Sequence, residues 1–312
     1  MKVSVIIPCY NAAPYIQRTI ASVQAQTISD WEMIIVDDGS KDNSVSTIQE
    51  IAKTDSRIHL IEKENGGSAS ARNMGLQYAI GEYIQLLDAD DMLAPDKFEK
   101  QIALMESHHL DVSYTDYRKF NPDGTIEELK GLNESLLHLL VGWGVFGTIP
   151  PHCYLYRRDF IIAHTIRFAS IREREDWDWH IKVFNAHPKA ERLKGYCGAF
   201  YFKSPTGKTS DGDLVKLQRG YCRFLCYRIH TLHGYKRFLL FLRLSIALWT
   251  IFLQMIRYKM WDMMKIHKVF TKERRYYVYF ITSVLLMPLS LPIYIAGFIY
   301  GHYIEFTGKQ QC

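Results

Sequence analysis

Three carboxylates crowd together in Asp88-Ala89-Asp90-Asp91, directly after the apolar run Tyr-Ile-Gln-Leu-Leu. Acids gathered at the edge of a core repel one another and resist burial unless a cation neutralises them. Oxygen ligands of this kind suit Mg²⁺ or Mn²⁺, which bind through one or two carboxylates together with substrate phosphates. The plainer alternative is a solvated turn ahead of a helix begun by Pro95 and Asp96. A second pair, in Asp37-Asp38-Gly39-Ser40, has the composition of a turn. Its carboxylates equally suit a nucleobase N–H or a ribose hydroxyl. Asn65-Gly66-Gly67-Ser68 opens a stretch carrying Arg72 and Asn73; glycines ahead of a helix let backbone amides approach an anion. Arg72, one turn in, suits phosphates or the Asp88 loop. A third acidic group, Glu175-Asp176-Trp177-Asp178-Trp179, reads either as a helix start or as a general base flanked by tryptophan platforms for sugar faces. His152, in Pro150-Pro-His-Cys-Tyr-Leu-Tyr-Arg-Arg158, reads as a partly buried structural histidine.

Such residues act together only if the chain brings them to one place. Apolar, β-branched runs predict strands over residues 3–7, 33–36, 58–61, 83–87 and 111–117. Helical patterns fall between them at 45–52 and 69–80, and after Asn11, where Tyr15, Ile16, Ile20 and Val23 form a stripe and Pro14 fits the first turn. This βαβαβαβ order predicts a doubly wound parallel sheet. The polar groups at residues 8–11, 37–40 and 88–91 each follow a strand end, and open α/β sheets bind ligands outside the carboxyl ends of their strands.

Of the 312 residues, 48% are hydrophobic and 23% charged, which excludes a disordered chain. The net charge of +5 is mild, and no nucleic-acid partner is expected. Six cysteines (Cys9, Cys153, Cys197, Cys222, Cys226, Cys312) form no CxxC pair and read as reduced thiols. Between residues 219 and 275 only Asp262 and Glu273 oppose a long series of Lys and Arg. Within it, residues 239–256 read as an amphipathic basic helix with Trp249, suited to an anionic membrane surface. Residues 278–303 contain no Asp, Glu, Lys or Arg, long enough to cross a hydrocarbon core of ~30 Å; Pro288 and Pro292 suit a re-entrant hairpin, and the alternative is a buried helical pair or an oligomer interface. Lys272, Arg274 and Arg275 would hold the near flank inside. Residues 1–8 are too short for a signal peptide, so the expected location is the cytoplasmic face of the cell membrane.

Val3-Ser-Val-Ile-Ile-Pro-Cys-Tyr-Asn11, Ile35-Val-Asp-Asp-Gly-Ser40, Asn65-Gly-Gly-Ser-Ala-Ser-Ala-Arg-Asn73, Asp88-Ala-Asp-Asp91 and Glu175-Asp-Trp177 occur in the order and spacing of family 2 glycosyltransferases. The resemblance covers about residues 1–210. It implies a GT-A catalytic domain over 1–210, Rossmann-like with a doubly wound mixed sheet; by its composition the remainder reads as a basic, apolar helical membrane-associating region over 211–312. It further implies inverting transfer from a nucleotide-diphosphate sugar, with a UDP-sugar the expected donor. The acceptor class would be a hydroxyl of a lipid-linked or cell-surface glycan in lipopolysaccharide, capsule or exopolysaccharide biosynthesis. By the same resemblance Pro8, Tyr10, Asn11, Asp37 and Asp38 hold the nucleoside and Arg72 organises the donor. Asp88, Ala89 and Asp90 match the DxD motif, with Asp88 and Asp90 on Mn²⁺ or Mg²⁺, and Asp176 matches the base that deprotonates the acceptor hydroxyl. Two features depart from the family. The stretch Tyr201-Phe-Lys-Ser-Pro-Thr-Gly-Lys-Thr-Ser210 lacks the usual histidine, leaving Lys203 or Lys208 as phosphate contacts or plain loop lysines. The glycine-rich segment before the acidic pair is replaced by residues 167–174. The other readings are a polyprenyl-phosphate sugar synthase and a non-catalytic sugar-nucleotide-binding scaffold.

Overall fold

The computed structural model describes residues 1–130, 139–140, 149–171, 174–203, 224–225, 228, 231–236, 239–240 and 243. The chain divides into two compact units, Met1–Glu134 with Ile149–Ser210, and Ser135–Thr148 with Asp211–Cys312. The candidate site lies wholly in the first.

The first unit is built on a mixed sheet. Strands β1 (Val3–Cys9), β2 (Trp31–Asp37), β3 (Ile58–Glu62) and β4 (Tyr83–Leu86) are parallel, in the spatial order β3-β2-β1-β4. Almost every residue of β1 and β2 is buried, as a parallel strand covered on both faces requires. The expectation of an all-parallel sheet ends at β4. There the sheet continues through β8 (Tyr154–Arg157), antiparallel to β4, then β6 (Val112–Phe120) and β9 (Ala190–Phe202), with the two-residue β5 (Met92–Leu93) at the far edge. Strand β7 (Ile126–Leu129) pairs with β6 as a hairpin across the Asn121–Gly124 turn. This is the mixed α/β sheet of a GT-A-like fold.

Pro8 sits inside a strand that should not tolerate it, since proline has no N–H for the ladder. The register explains it. The Ile6 carbonyl accepts from Leu87 on the β4 side at 3.0 Å, and β4 ends at Leu86. Two residues later Pro8 presents its nitrogen to that same side, beyond the end of β4.

Helices α1 (Ile16–Gln24), α2 (Ser44–Ala52), α3 (Ser68–Tyr78), α4 (Lys97–Ser107), α5 (Arg158–Ala163) and α6 (Glu175–Asn185) are the described α-helices of this unit. In α1, Ile16, Ile20 and Val23 are fully buried at helical spacing, each worth roughly 1.5–3 kcal/mol. Asn11 is not the cap of α1: it lies in the left-handed region (φ 50°) and the helix begins at Ile16. In α3, Gly75 lets the helix settle onto β1, because a Cβ there would lie 2.4 Å from Ile6 Cγ2.

Among the described residues no helix is long and apolar enough to cross a membrane. Residues 278–303, where such a segment is expected, lie outside the described residues. Cys9 and Cys153 are buried free thiols and Cys197 is a half-buried one.

Candidate active site

The turns after β1 and β2 interlock. Asp38 N–H donates to the Cys9 carbonyl (2.8 Å), Asn11 N–H to Ser40 Oγ (2.9 Å), and Lys41 N–H to Asn11 Oδ1 (2.8 Å). Asp37 closes its own turn by accepting from the Gly39 and Ser40 amides, with Gly39 at φ 79°, a conformation open to glycine. Beside these turns is an open cleft of about 560 Å³ lined by Tyr10, Asp37, Gly39, Ser40, Lys41, Val45, Glu62, Lys63, Glu64 and Asn65. Tyr10 stands 51% exposed at its rim. Pro8, half-buried within β1, and Asp38 do not line the cleft.

Asp38 lies beneath it and corrects one expectation. Its carboxylate accepts from Gly66 N–H (2.8 Å), Gly67 N–H (2.7 Å) and Lys63 Nζ (2.6 Å). The amides ahead of α3 therefore already hold an anion, and it is a side chain of the protein itself.

A second cluster centres on Arg72, which is 3% exposed. Its guanidinium donates to Asp88 Oδ1 (2.6 Å) through one terminal nitrogen and to Asp176 Oδ1 (3.0 Å) through the other, with Glu175 Oε1 at 3.9 Å. Burial alone would lower the arginine's pKa; Asp88, Asp176 and Glu175 outweigh it and raise the value. Ser68 Oγ donates to Glu175 (2.6 Å), so α3 meets α6 at two points. Asn73 secures the other side, exchanging hydrogen bonds with the backbone of Phe168.

Asp176 lies in the first turn of α6, which starts after Arg174 at φ 63°. Trp177 and Trp179 are buried, and Trp179 stacks on Phe168 at 4.3 Å. They are core residues, which corrects the expectation of tryptophan platforms. The α6 pattern places Glu175 and Asp176 outward because the residues that follow are wedged into the core.

The Asp88–Asp91 loop is pinned from α1. The Thr19 hydroxyl lies 2.9 Å from the Ala89 carbonyl and 2.8 Å from that of Asp91, and Arg18 donates to the Asp90 carbonyl at 2.7 Å. Burial, then the neighbouring Asp88, push the Asp90 carboxyl up to about 6. Asp91 is buried and its carboxyl is pushed well above the usual range by burial and by Asp90 and Asp88. His152 was expected to be partly buried; it is fully buried, beside Asp91. Burial pushes its pKa down to about 4. One donor atom from each of Asp88, Asp91 and His152 lies within 4.8 Å of the others. Nothing in the local sequence marks His152, since its partners are more than sixty positions away.

The Glycosyl transferase family 2 profile matches residues 4–165. The chain is 46% identical over 124 residues to the Bacillus subtilis glycosyltransferase TuaG, named for teichuronic acid biosynthesis, covering 39% of this chain and 49% of that one. It spans half or less of the length of the first curated relatives it matches. Among solved structures, S. aureus TarS in complex with UDP-GlcNAc superposes with a TM-score of 0.61 at 21% identity, covering 80% of this chain and 72% of that chain. The mannosyltransferase PcManGT from Pyrobaculum calidifontis, in complex with GDP-Man and Mn²⁺, gives 0.59 at 17% identity, covering 92% and 86%. At these identities the likeness is one of fold. The profile match extends over more than half of the chain, through the strand-end turns and the Asp88 loop: the chain belongs to glycosyl transferase family 2.

Proposed function

We infer that the protein transfers a sugar, with inversion, from a nucleoside-diphosphate donor to a hydroxyl of a cell-surface glycan carried on lipid, and that the donor is a UDP-sugar. The observation that carries this reading is Arg72, buried between Asp88 and Asp176 and bonded to both. One cation thus ties the strand-end loop suited to a diphosphate to the carboxylate suited to a base. The nucleoside occupies the cleft beside Tyr10 and Asp37, with Pro8, Asn11 and Asp38 supporting the lining turns from outside it. TuaG's name points to a surface polymer, and TarS binds UDP-GlcNAc.

In this scheme Asp176 takes the proton of the acceptor hydroxyl as that oxygen bonds to the anomeric carbon. The bond to the diphosphate breaks on the opposite face, and the electron pair leaves with the diphosphate. Asp88 and Asp90 are the residues to hold Mn²⁺ or Mg²⁺, and crowded, half-buried carboxylates fit such an ion. When bound, it stabilises charge on the leaving group. Arg72 orients Asp176 while contacting the donor loop. In this reading the protein works at the cytoplasmic face of the membrane, beside a lipid-borne acceptor, a location supported by the basic and then uncharged pattern of residues 219–303.

The test is a panel of UDP-, GDP- and dTDP-sugars scored for protection against melting and for slow hydrolysis. A UDP-sugar should stabilise most, by about 2.7 kcal/mol at a hundredfold excess over its Kd. A panel in which no nucleotide sugar either protects or is cleaved removes the reading.

A further inference from the structure

Beneath the Asp88 loop is a polar group that the transfer scheme leaves unused. Asp91 is 1% exposed and His152 0%. Asp91 Oδ1 accepts from Phe202 N–H at 2.8 Å, which fixes the carboxylate against the end of β9. Its other oxygen, Oδ2, is 3.1 Å from His152 Nδ1. The two atoms are close but not aligned as a hydrogen bond, and among the described residues neither Oδ2 nor either ring nitrogen has a hydrogen-bond partner. His152 is held in place by other means. It belongs to the one-turn 3₁₀ helix Pro151–Cys153, its carbonyl accepts from Gln85 Nε2 at 3.0 Å, and its ring stacks on Tyr201 at 6.2 Å.

Unpaired buried polar atoms cost about 1–3 kcal/mol each, so converging several of them needs a compensating ligand. Their chemistry says which. An imidazole nitrogen and a carboxylate oxygen 3.1 Å apart and out of hydrogen-bond alignment can each turn a lone pair toward one ion, and Asp88 brings a third donor within 4.8 Å. Arg72 already pairs with Asp88, so a neutral guest would leave the Asp91 carboxylate uncompensated; a cation balances it.

We propose that Asp88, Asp91 and His152 form a divalent-cation site, the ion taking one carboxylate oxygen from each aspartate and one imidazole nitrogen. The mixed nitrogen and oxygen donor set selects Mn²⁺ over Mg²⁺, which prefers oxygen and retained water. The set shares Asp88 with the Asp88–Asp90 pair and adds two donors from below the loop. An ion there contacts the same carboxylate that Arg72 grips from the crevice side. The site stands on geometry; only the role of its ion in transfer rests on the donor-site reading above.

The experiment is a Mn²⁺ titration of the full-length protein, without nucleotide and again with UDP or GDP, followed by pulsed EPR for nitrogen bound to manganese. Wild type should show directly coordinated ¹⁴N. His152→Gln should lose that coupling and bind Mn²⁺ roughly tenfold or more weakly, by the scale of such ligand-shell losses, with melting curves confirming its fold. Asp91→Asn should weaken Mn²⁺ in the same direction. The wild-type spectrum decides even if both variants unfold. Bound Mn²⁺ with no nitrogen coupling places the ion on Asp88 and Asp90 alone and overturns the site. No Mn²⁺ binding with or without nucleotide removes both the site and metal-assisted transfer. Nitrogen-coupled Mn²⁺ in a protein that turns over no nucleotide sugar keeps the site and removes the transfer reading.

Discussion

Asp176 and Asp38 are both carboxylates at the ends of secondary-structure elements, yet their surroundings assign them different work. Asp176 is part-exposed and bonded to the Arg72 guanidinium, which suits the part of base in the proposed scheme. Asp176→Asn should leave donor affinity near wild type, measured by calorimetry, while transfer falls by about two or more orders of magnitude. Lost nucleotide binding in that variant would show the assignment to be wrong. Asp38 is saturated by two amides and Lys63. Asp38→Ala strands both amides and takes the anionic partner from Lys63, and a loss of roughly 2–3 kcal/mol is expected in urea unfolding, together with weaker nucleotide binding. A variant as stable as wild type would mean that water replaces the carboxylate without cost. What the sequence discloses at this scale is local. A run of acids after an apolar strand is conspicuous by itself, because its cost is set by neighbours in the chain. Pairings such as Arg72 with Asp176, or Asp91 with His152, depend on how distant elements come together, and no local spacing encodes that. The tryptophans after Asp176 mislead for the same reason: their type suits a sugar face, but only packing shows that Phe168 and Tyr156 cover Trp179.

The elements themselves were more legible. Strands β1 to β4 and helices α2 and α3 follow from periodicity to within a few residues, since parallel strands buried on both faces read as unbroken apolar runs. Strands β5, β8 and β9 did not, being short or partly polar and defined by partners far away in the chain. Helix α3 carries Arg72 and owes its position to Gly75. Gly75→Ala should therefore push α3 off β1, costing about 1–3 kcal/mol, and should weaken donor binding by moving Arg72. Shortening the opposing side chain, Ile6→Ala, should recover part of both losses; no recovery would mean that the strain lies elsewhere. Helix α4 supplies a different test. Lys97 is fully buried against Gln85 Oε1, and burial pushes its pKa down to about 7. Between pH 7 and the ordinary lysine value of 10.5, the unfolded chain binds a proton that the folded chain does not. Stability should therefore rise with pH across that window, by up to about 1.4 kcal/mol per unit. Lys97→Met should flatten this contribution in chemical-denaturation profiles; an unchanged slope would show that Lys97 is charged in the fold.

For the molecule as a whole, the open question is where the crevice works. Residues 219–275 are basic and residues 278–303 carry no Asp, Glu, Lys or Arg. The protein should sediment with membranes, resist extraction by salt, which screens only the basic contribution, and yield to detergent. Truncation after Ser210 should release much of it. Extraction by salt alone would leave surface attachment, and a monodisperse detergent-free protein would assign the apolar segment to a protein contact. Composition reveals this tail without assigning it, because an apolar stretch looks the same whether lipid or another chain covers it.

The bond from Asp38 to Gly66 and Gly67 has a consequence for engineering. The turn after β2 and the loop ahead of α3 are stitched by a charged knot, so they form one transplantable part although 25 positions separate Asp38 from Lys63. Donor preference in a chimera should follow residues 37–41 only when residues 62–67 are exchanged with them. Grafting either loop alone would bring an unfamiliar backbone against a carboxylate shaped for its old partner, and the cleft would lose its floor before it gained a new specificity.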